Sequence, residues 1–107
     1  MWLCRTVCSS YAKTFSFLCE SNGIEVYYCS GVADDGNGQG FNGPGHAWNK
    51  VKSDGVWYYI DTYWNAGLGN FKYFLSETIW SDHMLRKEGS YYDIWYSGES
   101  LYRDGIY

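Results

Sequence analysis

Positive charge is in short supply in this chain. Eight Lys and Arg stand against twelve Asp and Glu, giving a formal net charge of −4 and a sequence pI near 4.9. A protein that grips a nucleic-acid backbone carries a basic face, so that class of partner is excluded. Long apolar runs are missing as well: nothing approaches the roughly 18 residues of a membrane span, and no signal peptide is visible. Only two histidines and four cysteines occur in 107 residues, too few and too scattered for a zinc site, and a cysteine density far below that of disulfide-stapled domains. Asp34 and Asp35 lack the regular ligand spacing of a calcium loop. No metal and no cofactor is expected.

Aromatic residues are abundant instead: twelve Tyr, six Trp and five Phe, 21% of the chain. They supply a large core payload, and their phenol and indole groups need polar partners. The length suits one domain, residues 1–107. Only seven residues precede Cys8, so the chain reads as cut at its N-terminus.

From Cys8 to about Ser21 the apolar positions Tyr11, Ala12, Phe15, Leu18 and Cys19 repeat with helical period, with Ser9, Lys13, Ser16 and Glu20 on the other side. Asn22-Gly23 suits a left-handed helix cap. Ile24 to Val32 is rich in β-branched and aromatic residues and predicts a strand. Asp34 to Gly45 holds five of the thirteen glycines and the only proline, which makes it a loop. His46–Lys52 and Val56–Thr62 predict two antiparallel strands around the Asp54-Gly55 turn. With Val51 roughly opposite Val56, residues near His46 face residues near Asp61. Asn65–Asn70 reads as a connection, Phe71–Leu75 as a strand, Met84 and Leu85 as a helical turn, and Tyr91–Tyr96 as a last strand. The fold class is α+β, with a cysteine-bearing N-terminal helix on a small antiparallel sheet.

Three residues then form a chemical set. Cys8 at the start of a helix is placed where unpaired N–H groups and the helix dipole favour a thiolate. His46, after the glycine-rich loop, is a base that takes the thiol proton and returns it to a leaving group. Asp61 on the partner strand is the acceptor that orients the imidazole. Cys19 and Cys29 read as free, apolar core thiols, and His83 as a structural or surface residue.

The blocks VCSSYAKTF, GHAWNKV and GVWYYIDTYW, followed by FKYFLSE, resemble the transglutaminase-like superfamily over about Thr6 to Glu77. The resemblance implies a papain-like fold and acyl transfer on protein or peptide amides: Cys8 attacks the carbonyl, a thioester forms, His46 protonates the departing amine, and water or a second amine resolves the intermediate. The Cys8 N–H is an expected oxyanion donor, and Trp2, Trp48 and Trp64 are expected to wall the substrate cleft. The resemblance also favours a secreted or cell-surface protein. The alternative readings are an inactive domain of the same family that binds a protein or glycan, and a carbohydrate-binding module with Trp and Tyr platforms.

Overall fold

The computed structural model describes residues 2–34, 40–42, 45–68, 72–91 and 94, with side chains from Cys8 onward except at 42 and 68. Its first element, helix α1, spans Trp2–Ser21. It therefore begins six residues ahead of Cys8. The C-terminal end is as the sequence predicts: Gly23 takes φ 73°, Gly23 N–H donates to Glu20 O at 3.1 Å and Ile24 N–H to Cys19 O at 2.9 Å. These are the two bonds of a Schellman cap, which only a residue at ease with positive φ closes cheaply.

The buried stripe of α1 is rotated from the predicted one. Cys8, Ala12, Ser16 and Cys19 are buried, whereas Tyr11 and Leu18 are 41% and 58% exposed. A hydroxyl at position 16 made that face look polar in the sequence. It is tolerated because Asn49 Nδ2 donates to Ser16 Oγ at 3.0 Å and to the Ala12 carbonyl at 3.1 Å. Each such bond contributes about 1 kcal/mol, and leaving the groups unpaired costs more.

Strand β1 covers Val26–Ala33, β2 Gly45–Ser53 and β3 Val56–Ile60. A short helix α2, Thr62–Leu68, follows, and β4 runs from His83 to Gly89. The strands form one antiparallel sheet in the order β3-β2-β1-β4. The hairpin turn has Asp54 at φ 52° and Gly55 at φ 81°, the two positive values of a tight two-residue turn. It pairs Ser53 with Val56 and Val51 with Tyr58, two positions along from the register the sequence suggested.

Four further predictions are corrected. The region around Met84 and Leu85 is strand β4 rather than a helical turn, held by pairing with β1. The expected connection after Asn65 lies partly in α2. Residues 72–75 make no strand; the one isolated bridge from this segment to the sheet among the described residues is Tyr59–Ser76. Ile94 N–H donates to Ser90 O at 3.1 Å, a helical turn where a strand was predicted. Phe71, most of the glycine-rich loop and the tail from Ser97 lie outside the described residues; within that loop Gly40–Asn42 forms a single 3-10 turn.

Helix α1 packs mainly on β2, in matched order. Cys8 and Ala12 share a cluster with Ala47, Asn49 reaches Ala12 and Ser16, and Cys19 packs with Val51. Strand alternation puts Ala47, Asn49 and Val51 on the helix side and Trp48 on the other. The result is α+β, an N-terminal helix on a four-stranded antiparallel sheet.

Candidate active site

Asp61 is the organising residue. It follows the last residue of β3 and caps α2: its Oδ1 accepts the Trp64 N–H at 3.0 Å, and its carbonyl accepts from Asn65 N–H at 3.0 Å. This is an N-cap, for which Asp is well suited. Its own N–H donates to Tyr73 O at 2.9 Å, so both backbone and side chain are fixed. The carboxylate is fully buried.

The second oxygen faces two imidazoles. His46 Nε2 lies 2.7 Å from Asp61 Oδ2, and His83 Nε2 lies 2.7 Å from the same atom. Burial pushes the Asp61 carboxyl up, but the His46 and His83 hydrogen bonds, the His46 charge and the Trp64 N–H outweigh it and hold it down at about 2. An ionised, acceptor-only Asp61 is the result. Sequence reasoning thus joined His46 to Asp61 correctly, although through the wrong register.

His83, read from the sequence as structural or surface, is the residue that reasoning missed. It is buried, and it pairs with Ala33 at the start of β4. Asp34 N–H donates to Asp82 O at 2.8 Å, pinning the turn that delivers it. Its Nδ1 stands 2.8 Å from Asp82 Oδ1, and the Tyr73 hydroxyl donates to Asp82 Oδ2. Burial pushes the Asp82 carboxyl up, but the bonds from Tyr73 and His83 outweigh it, and it lies below the usual range. Burial, then the Asp82 contact, push the Tyr73 phenol well up.

Aromatic rings close around these groups. Trp48, Trp64 and Trp80 approach His83 at centroid distances of 4.8, 4.7 and 4.8 Å, and Trp64 approaches His46 at 5.1 Å. Trp48 is 1% exposed, so it packs beneath the histidines rather than walling an open cleft as expected. Its indole passes over Gly31: a Cβ there would stand 2.9 Å from Trp48 Cη2 and collide with the Met84 carbonyl. Trp64 is half-buried. The Trp2 side chain lies outside the described residues.

Cys8 sits at the His46 end of β2, fully buried in a cluster with Ala12, Tyr28, Ala47, Tyr91 and Ile94. It occupies the seventh position of α1, where a regular helix pairs each N–H with the carbonyl four residues back. The predicted helix-start activation and the Cys8 N–H oxyanion donor therefore do not describe its setting. Among the described residues Cys19 and Cys29 are free thiols. Burial raises the Cys29 thiol strongly and, with Glu20, raises that of Cys19. Those two are core residues, as the sequence indicated.

His46, Asp61 and His83 offer three donor atoms within 4.8 Å of one another. Ligands sharing a metal at about 2.0–2.1 Å in a tetrahedral site stand roughly 3.3 Å apart. Here the nitrogen-to-oxygen separations are 2.7 Å, the spacing of hydrogen bonds. The group is thus a hydrogen-bonded chain, Tyr73–Asp82–His83–Asp61–His46.

Comparison with known proteins bears on this geometry. The family model of the Transglutaminase-like superfamily matches residues 4–62, a span that takes in Cys8, His46 and Asp61. Kyphoscoliosis peptidase from Mus musculus and from Homo sapiens are each 34% identical over 68 residues, covering 60% of this chain and 10% of theirs. The chain thus matches about a tenth of the length of these relatives. No solved structure matches it.

Proposed function

Because the chain belongs to the transglutaminase-like superfamily, we propose that it performs cysteine-dependent acyl transfer on protein or peptide amides, with Cys8 as nucleophile, His46 as general base and acid, and Asp61 orienting His46. The observation that carries this reading is the buried His46 Nε2–Asp61 Oδ2 contact of 2.7 Å, at the end of β2 whose next residue, Ala47, packs with Cys8.

Asp61 engages Nε2, so His46 exchanges protons through Nδ1. In acylation the Cys8 thiol proton passes to Nδ1 and sulfur bonds to the amide carbon. The C–N bond then breaks as the imidazolium returns that proton to the departing amine, leaving a thioester on Cys8. Water or a primary amine attacks the thioester, giving up a proton to Nδ1 and expelling the thiolate. Water yields cleavage; a lysine amine yields a cross-link. The relatives' name, peptidase, favours the hydrolytic outcome.

One assay separates these possibilities: a glutamine-containing protein and a labelled primary amine are supplied together, and amine incorporation is scored against peptide cleavage. The proposal expects one product with the wild-type chain and none with Cys8→Ala. A product formed equally by Cys8→Ala overturns it. Partner capture that survives Cys8→Ala, with no product from wild type, points to a binding domain.

A further inference from the structure

The acyl-transfer chemistry assigns nothing to His83, yet both of its ring nitrogens face carboxylates. We propose that His83 is a positioning residue: it holds the same carboxylate oxygen that orients His46, and so governs how much of the Asp61 charge is left for the His46 imidazolium formed in the reaction. The inference rests on the reading of His46 as the base.

Both ring nitrogens of His83 face carboxylate oxygens, Asp61 Oδ2 at 2.7 Å and Asp82 Oδ1 at 2.8 Å. An ionised carboxylate accepts and does not donate. Both carboxyls are held below their usual range by their partners, so the two contacts are hydrogen bonds when His83 carries hydrogen on both nitrogens. In that doubly protonated form the ring is a cation bridging two anions. The flanking faces and edges of Trp48, Trp64 and Trp80 exclude water from it, which strengthens each charge-assisted bond.

A positive His83 stands 5.4 Å, ring centre to ring centre, from His46. It opposes a second positive charge there and draws on the oxygen that would otherwise serve His46 alone. The groups facing the pair among the described residues are Asp61 at the β3–α2 junction, Asp82 ahead of β4, and Tyr73 and Lys72 from the connecting segment, whose hydroxyl and charge act on Asp82. Helix α2 and strand β2 contribute the indoles of Trp64 and Trp48. His83 thus makes the His46 imidazolium a better acid. This favours return of the proton to the departing amine, the step in which the C–N bond breaks.

The test is an NMR titration of the His46 ring in the full chain, compared among wild type, His83→Gln and Asp82→Asn. Gln keeps an N–H that reaches toward Asp61 and removes the charge; Asn removes the anion that supports it from the partly exposed side. The expected result is a His46 midpoint about one pH unit higher in His83→Gln, and a smaller rise in Asp82→Asn. If His83→Gln does not fold, Asp82→Asn alone decides. Midpoints at or below wild type in the folded variants overturn the inference. Iodoacetamide labelling of Cys8 in the wild-type sample keeps the two readings apart: a sluggish Cys8 with a raised His46 midpoint removes the catalytic reading and leaves the coupling standing.

Discussion

Asp61 faces His46 with the carboxylate oxygen that its capping of α2 leaves over. Its Oδ1 caps α2 through the Trp64 N–H at 3.0 Å, and its Oδ2 faces His46 Nε2 at 2.7 Å. Helix cap and His46 contact thereby share one side chain, so the position of the His46 ring is tied to the start of α2. Asp61→Asn keeps an oxygen for the cap but turns an amide, a donor, toward two imidazole N–H groups. It should cost roughly 3 kcal/mol, the range for breaking a buried charged network from one side. Urea unfolding of the two proteins measures this; a loss below about 1 kcal/mol contradicts the arrangement.

The same carboxylate makes stability depend on acid. Its folded value of about 2 lies below the ordinary 3.8, so its contribution is complete above about pH 5 and is lost as pH falls through 4 toward 2. The difference corresponds to roughly 2 kcal/mol. Asp61→Asn has no such proton to bind. The stability gap between wild type and Asp61→Asn should therefore narrow by about that amount from pH 5 to pH 2.5, measured by urea midpoints. A constant gap would show that the carboxyl is not held down in the folded chain.

Access to the thiol gives a third expectation. Cys8 is fully buried in a cluster that includes Tyr91 and Ile94. Ile94→Ala removes part of that cover, at a cost of about 2–4 kcal/mol, and should raise the alkylation rate of Cys8 several-fold while leaving Cys29, inside β1, slow. Equal acceleration of both thiols would indicate global unfolding rather than local cover.

Much of this architecture was legible in the sequence, for identifiable reasons. The Asn22-Gly23 cap and the Asp54-Gly55 turn are local, and their φ values of 73°, 52° and 81° follow from residue type. The hairpin register was two positions off because the turn is as tight as two residues allow. Helix α2 was hidden in WYYIDTYW, where β-branched and aromatic residues look like continued strand; Asp61 followed by Thr62 was the available N-cap signal. The rotated stripe of α1 depends on Asn49, which no local pattern in the helix reveals. His83 was the costliest omission. It opens an edge strand, HMLRKEG, without clean apolar alternation, and its burial comes from pairing with β1 and from indoles scattered between positions 48 and 80.

The central claim, that Cys8 is a nucleophile served by His46, is tested most directly by iodoacetamide labelling of the native chain with peptide mapping, in wild type and His46→Ala. Cys8 should react faster than Cys4, Cys19 and Cys29, and His46→Ala should slow it at least about tenfold. A Cys8 that reacts no faster than Cys19 and Cys29, or whose rate is indifferent to His46→Ala, would contradict the account.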